Sequence, residues 1–187
     1  MSTTATTAPT RAGVQLPADG SDGLADWQIA GAAWGHAAGD WATLMEPYAR
    51  DAIEAIFGRV GLGAESALLD VACGAGYALA RAARLGATVA GIDASPGLLD
   101  IAARRVPDAE LVCGSMFDLP WPDASFDLVT SFNGIWGGCE DAVAEIARVL
   151  RPGGHLAFSF WGPGRELDLR DYFFVLGTTG PDVAEEL

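Results

Sequence analysis

Asp70 opens the run Asp70-Val71-Ala72-Cys73-Gly74-Ala75-Gly76, and Asp93 stands 17 residues beyond Gly76. Glycines in such a run let the backbone come close to a ligand. A dinucleotide fingerprint would require a small residue three positions after Gly76, and Leu79 stands there. A pyrophosphate also prefers a neutral or positive cradle, whereas the carboxylate of Asp70 suits an ammonium or sulfonium group. Asp93 can accept from both hydroxyls of a ribose. Together the two acids point to an adenosine that carries no phosphate and has a cationic tail.

Other chemistry is sparse. His36 and His155 form no HxxxH or HExxH pattern, so no metal site is expected. Cys73, Cys113 and Cys139 lie 40 and 26 residues apart with no CxxC pair, which reads as reduced, apolar cysteines. No residue stands out as a general base. His36, between Trp34 and Trp41, is the candidate, and a surface or packing histidine is the alternative reading.

The elements that must position these groups follow from periodicity. Residues 1–22 read as a disordered tail, and 23–63 as a helical segment covering the pocket. In that segment Trp34, Trp41, Met45 and Tyr48 share a face, and Ile53, Ile56, Phe57 and Val60 continue a stripe. Pro47 starts or kinks a helix, and Gly58, Gly61 and Gly63 end the helical region. Residues 64–187 form the ligand-binding domain. Short apolar runs predict strands at 67–71, 88–93, 110–113, 126–132 and 155–161. Helices lie between them: Tyr77 to Leu85, one capped by Ser95 with Leu98 on its inner face, and one capped by Asp141. Alternating strands and helices imply right-handed βαβ units and a parallel sheet.

Composition narrows the partners. The 187 residues carry 25 acids against 11 bases, net −14, and every base is Arg. Such a surface repels phosphate backbones and anionic lipid, so no nucleic-acid or membrane partner is expected. No apolar run approaches a membrane span of about 20 residues, and the start lacks a secretory core, which reads as cytoplasmic.

Residues from about 66 to 162 resemble the class I S-adenosylmethionine-dependent methyltransferases, in particular the small-molecule branch of the type 11 methyltransferase domain. Leu68 to Gly76 resembles the motif LDVGCGTG, with Ala72 in place of a glycine. Gly91-Ile92-Asp93-Ala94-Ser95 resembles the ribose-binding motif. Asp118 to Asp127 is similar to DLPFPDGSFD, and Arg148 to Gly154 to RVLKPGG.

The resemblance implies a Rossmann-like three-layer α/β sandwich, ordered 3-2-1-4-5, that binds S-adenosyl-L-methionine. The implied cofactor contacts are Asp70, Ala72, Cys73, Gly74, Ala75, Gly76, Asp93, Ala94, Ser95 and Leu98. Ser115, Met116 and Phe117 would flank the adenine, and Asn133 and Gly134 the methionine part. Trp41, Trp136 and Trp161 are candidates for the acceptor site. The implied activity is methyl transfer to a small-molecule acceptor; a non-catalytic cofactor-binding subunit is the alternative, and an NAD-dependent oxidoreductase ranks behind both. The family's final hairpin has no counterpart in the 26 residues after Trp161, so the chain reads as truncated relative to the family. The apolar edge of the fifth strand would then be covered by a Leu167–Leu176 helix, by self-association or by a further segment.

Overall fold

The computed structural model describes residues 26–135 and 139–159. Its centre is a five-stranded sheet of β1 (Ala67–Val71), β2 (Thr88–Asp93), β3 (Glu110–Cys113), β4 (Phe126–Phe132) and β5 (Leu150–Ser159). The order is β3-β2-β1-β4-β5 and every pairing is parallel. This is the expected order. Parallel strands need crossovers, which are α4 (Tyr77–Arg84), α5 (Pro96–Arg105) and α6 (Glu140–Val149).

Alternation along each strand sends neighbouring residues to opposite faces. Leu68 and Leu128 pack with Leu79, Ala82 and Leu99 of α4 and α5, together with Ile53 and Phe57 of α3 (Arg50–Val60). Leu69, Val71 and Val129 face the other way, against Ile146 and Val149 of α6. Helices on both faces of one sheet make three layers. Gly91 fits only because it has no side chain: a Cβ there would lie 2.7 Å from Leu79 Cδ1 and 2.8 Å from Cys73 Sγ.

The N-terminal segment is less regular than its periodicity implies. It breaks into α1 (Asp26–Gly35), the short α2 (Ala38–Asp40), a π-turn at Trp41–Met45, a 3₁₀ turn at Glu46–Ala49, and α3. Pro47 sits in the 3₁₀ turn, where its missing N–H costs least. Tyr48 is exposed rather than on the covered face, Gly58 lies inside α3, and Gly61 ends that helix in a left-handed conformation. Ser95 does cap α5, accepting from the Leu98 amide at 3.4 Å. Asp141 does not cap α6. Cys139 occupies that position without a side-chain bond, and Asp141 lies within the first turn.

β5 begins at Leu150, five residues earlier than expected, because Leu150 already pairs with Phe126, and Arg151-Pro152-Gly153-Gly154 form a register shift before pairing resumes at Leu128 and His155. Residues 1–25 and 160–187 lie outside the described residues, as do Trp136 and Trp161. The expected tail, the Leu167–Leu176 helix and the rest of the predicted fifth strand fall there. Among the described residues, no helix is long and apolar enough to cross a membrane, and no group of acids, histidines and cysteines is placed to hold a metal.

Candidate cofactor site

A cavity of about 310 Å³ opens at the carboxyl ends of β1, β2, β3 and β4, where the strand order reverses between β1 and β4. Asp93 ends β2 and Asp70 stands one residue before the end of β1, and both line the cavity. Ala72, Cys73, Gly74, Ala94, Leu98, Ser115, Met116, Phe117, Asn133, Gly134 and Trp41 also line it. Three residues of the expected set do not. Ala75 is buried among Ala38, Ala42 and Leu98, Gly76 packs against Ala102, and Ser95 is fully buried as the α5 cap. These three shape the loop from behind. His36 is exposed in the turn after α1, its Nδ1 lies 2.8 Å from the Ala32 carbonyl, and it does not line the cavity. The geometry therefore removes the one candidate base.

The loop from β1 into α4 is held by acids. Asp93 Oδ2 accepts from the Gly74 amide at 2.8 Å and Oδ1 from the Ser95 amide at 2.8 Å. Glu46 Oε1 accepts from the Ala75 amide at 2.8 Å. The Cys73 and Gly76 amides donate to the Ile92 and Cys73 carbonyls. Gly74 sits at φ +56°, and a Cβ there would lie 3.0 Å from Glu46 Oε1 and 3.4 Å from Trp41 Nε1. The glycine thus admits the N-terminal wall as well as any ligand.

Electrostatics follow from burial. Asp70 is fully enclosed, accepts from Thr130 Oγ1 at 2.7 Å, and has no cationic partner among the described residues; burial, with Glu46 and Asp93 nearby, pushes it up to about 7. Burial also raises Asp93 and Glu46, against the hydrogen bonds they accept. Burial drives the Cys73 thiol well above its usual range, so it stays protonated.

Periodicity missed Glu46, Arg105 and Thr130. A carboxylate in a helical segment reads as solvated, and its partner Arg105 lies 59 residues away in sequence. The clue available was Gly74 itself, which signals a close approach without saying to what.

Ala72 occupies the left-handed region at φ +57°, which costs an alanine about 1–2 kcal/mol. Ala72→Gly should therefore raise stability by about 0.5–1 kcal/mol after its larger unfolded-state entropy is subtracted. A urea midpoint at or below that of the unsubstituted protein would contradict this.

A parallel sheet of this order, with helices on both faces and a glycine loop after its first strand, is a Rossmann-like α/β fold. The family model described as "Methyltransferase domain" matches residues 69–158. The chain is 35% identical over 126 residues to a malonyl-[acyl-carrier protein] O-methyltransferase of Serratia marcescens, covering 65% of this chain and 49% of that protein. It is 41% identical over 91 residues to a demethylmenaquinone methyltransferase of Renibacterium salmoninarum, covering 48% and 38%. A solved S-adenosylmethionine-dependent methyltransferase from Aquifex aeolicus shares the fold, with TM-score 0.58 at 20% identity, covering 76% of this chain and 87% of that one. Over residues 69–158 the chain is thus similar to methyltransferases in sequence, and its sheet is the Rossmann-like one. The chain spans about half, or less, of the length of these two curated relatives.

Proposed function

We propose that this protein binds S-adenosylmethionine in the cavity and transfers its methyl group to a small apolar acceptor that is uncharged or cationic. The observation carrying this reading is that the acids of the site, and not a phosphate, take the amides of the glycine loop. Asp93 and Glu46 hold the Gly74 and Ala75 amides, and Asp70 adds a third buried carboxyl without a counter-cation. These residues fit the cofactor: Asp93 can still accept from ribose hydroxyls through its remaining lone pairs, and Asp70 faces a positive tail. Met116 and Phe117 offer apolar surface to a base, and Ser115 a hydroxyl.

Bound there, the cofactor supplies a methyl carbon on a positively charged sulfur that departs as a neutral thioether. The chain supplies alignment and dryness. Trp27, Trp34, Trp41 and Met45 line the cavity on the N-terminal side and give it an apolar wall. Among the described residues that line it, Asp26, Glu46, Asp70 and Asp93 carry the charge, and none is Arg or His. An acceptor bearing a carboxylate would meet no counter-charge among these described residues. With no histidine among the described residues that line the cavity, an acceptor that is already nucleophilic at neutral pH, such as an amine with a modest pKa, is favoured over an alcohol.

Titration calorimetry with S-adenosylmethionine and NAD, followed by transfer of radiolabelled methyl to matched amine, phenol and carboxylate acceptors, tests this reading. Binding of NAD in preference to S-adenosylmethionine would overturn it. Asp93→Ala should weaken S-adenosylmethionine by about 1–3 kcal/mol, since it removes a charged acceptor from the ligand and releases the Gly74 amide. Unaltered affinity would show that Asp93 does not touch the ligand.

A further inference from the structure

Glu46 stands outside every motif, yet its side chain bonds the N-terminal segment to the loop. It is nine-tenths buried and lines the cavity. Its Oε1 covers the Ala75 amide at 2.8 Å, next to the start of α4. Its Oε2 receives Arg105 Nη1 at 2.6 Å, and Arg105 also donates to the Ala75 carbonyl at 2.8 Å and the Ala42 carbonyl at 3.4 Å. One carboxylate therefore ties three parts of the chain: the N-terminal turn, the glycine loop and the end of α5.

The position it fills is the one an anionic ligand would want. A helix start with free amides and a nearby arginine attracts phosphate. Here the protein's own carboxylate has taken the amide and paired with the arginine, so neither is left for an anion, and it lines the cavity together with Asp70.

We propose that Glu46, latched by Arg105, is the specificity determinant that admits a cationic, phosphate-free ligand and turns a phosphate-bearing nucleotide away. This rests on the cofactor reading above. Selection is then made by the N-terminal segment as much as by the loop. Replacing Glu46 with glutamine removes the charge and leaves Arg105 unneutralised beside the Ala75 amide, converting a cation-selecting corner into an anion-selecting one.

The test is titration calorimetry on the full chain with S-adenosylmethionine and, separately, with ADP, for the unsubstituted protein and Glu46→Gln. S-adenosylmethionine should weaken on the order of tenfold in Glu46→Gln, and ADP should strengthen by a similar factor. A folded Glu46→Gln with both affinities unchanged would overturn the proposal. Should that variant not fold, Glu46→Asp decides: it keeps the charge, but its shorter side chain cannot reach both Arg105 and the Ala75 amide. A gain in ADP affinity there supports the role, and no gain overturns it. Failure of the unsubstituted protein to bind S-adenosylmethionine at all would instead overturn the methyltransferase reading on which this one rests.

Discussion

Asp70→Asn should make the ligand-free protein more stable at pH 8 while weakening its hold on a cationic cofactor. Asp70 ionises near 3.8 in the unfolded chain and near 7 in the folded one, because it is enclosed without a cation. Between those values the native state keeps a proton that the unfolded chain has lost. Stability from this group therefore falls as pH rises from about 4 to 7. Above pH 7 the cost is complete, on the order of 4 kcal/mol. Asn keeps the acceptor for Thr130 Oγ1 and carries no charge, so it recovers much of that cost. Urea midpoints should favour Asp70→Asn clearly at pH 8 and little at pH 5. A gap independent of pH would show that Asp70 does not titrate in this range. Cofactor affinity moves the opposite way: it should rise with pH in the unsubstituted protein as Asp70 ionises, and lose that dependence in the variant.

Substituting Gly31 should detach the N-terminal wall. A Cβ at this position would lie 2.0 Å from the Ala94 carbonyl oxygen and 2.4 Å from its carbon, which is backbone and cannot turn aside. Helix α1 must lift, and with it Trp27, Ala30 and Trp34 leave the cavity. Gly31→Val should therefore cost S-adenosylmethionine affinity about tenfold or more, with a stability loss of about 1–3 kcal/mol because the sheet core lies elsewhere. Calorimetry and limited proteolysis within α1 read the two effects. Gly58→Ala, on an open face of α3 with nothing near its Cβ, is the control and should leave ligand binding alone. Equal affinity in Gly31→Val and Gly58→Ala would remove α1 from the site.

The strands were readable because each is a short apolar run closed by turn residues: the bounds expected for β1 to β4 are those observed. β5 was misjudged at its start because Pro152 and glycines read as a turn, whereas an edge strand tolerates them across a register shift. Asp141 failed as a cap since Cys139 precedes the helix by one residue, a choice that propensity does not make. Asp70, Asp93 and Gly74 were legible from motif spacing. Their neighbours Glu46, Arg105 and Thr130 were not, because tertiary proximity decides which polar residues of an amphipathic stretch turn inward. His36 shows the reverse case: flanking tryptophans suggest enclosure, but the residue sits exposed in the turn after α1, with its ring against the Ala32 carbonyl.

The amides of residues 73 to 76 all end on acceptors within the chain. An incoming guest thus meets a mould already set, offering it lone pairs and ring faces in place of N–H groups. It has no segment of this loop to organise on arrival, so the heat-capacity change on association should reflect only the surface covered and not a coil becoming ordered.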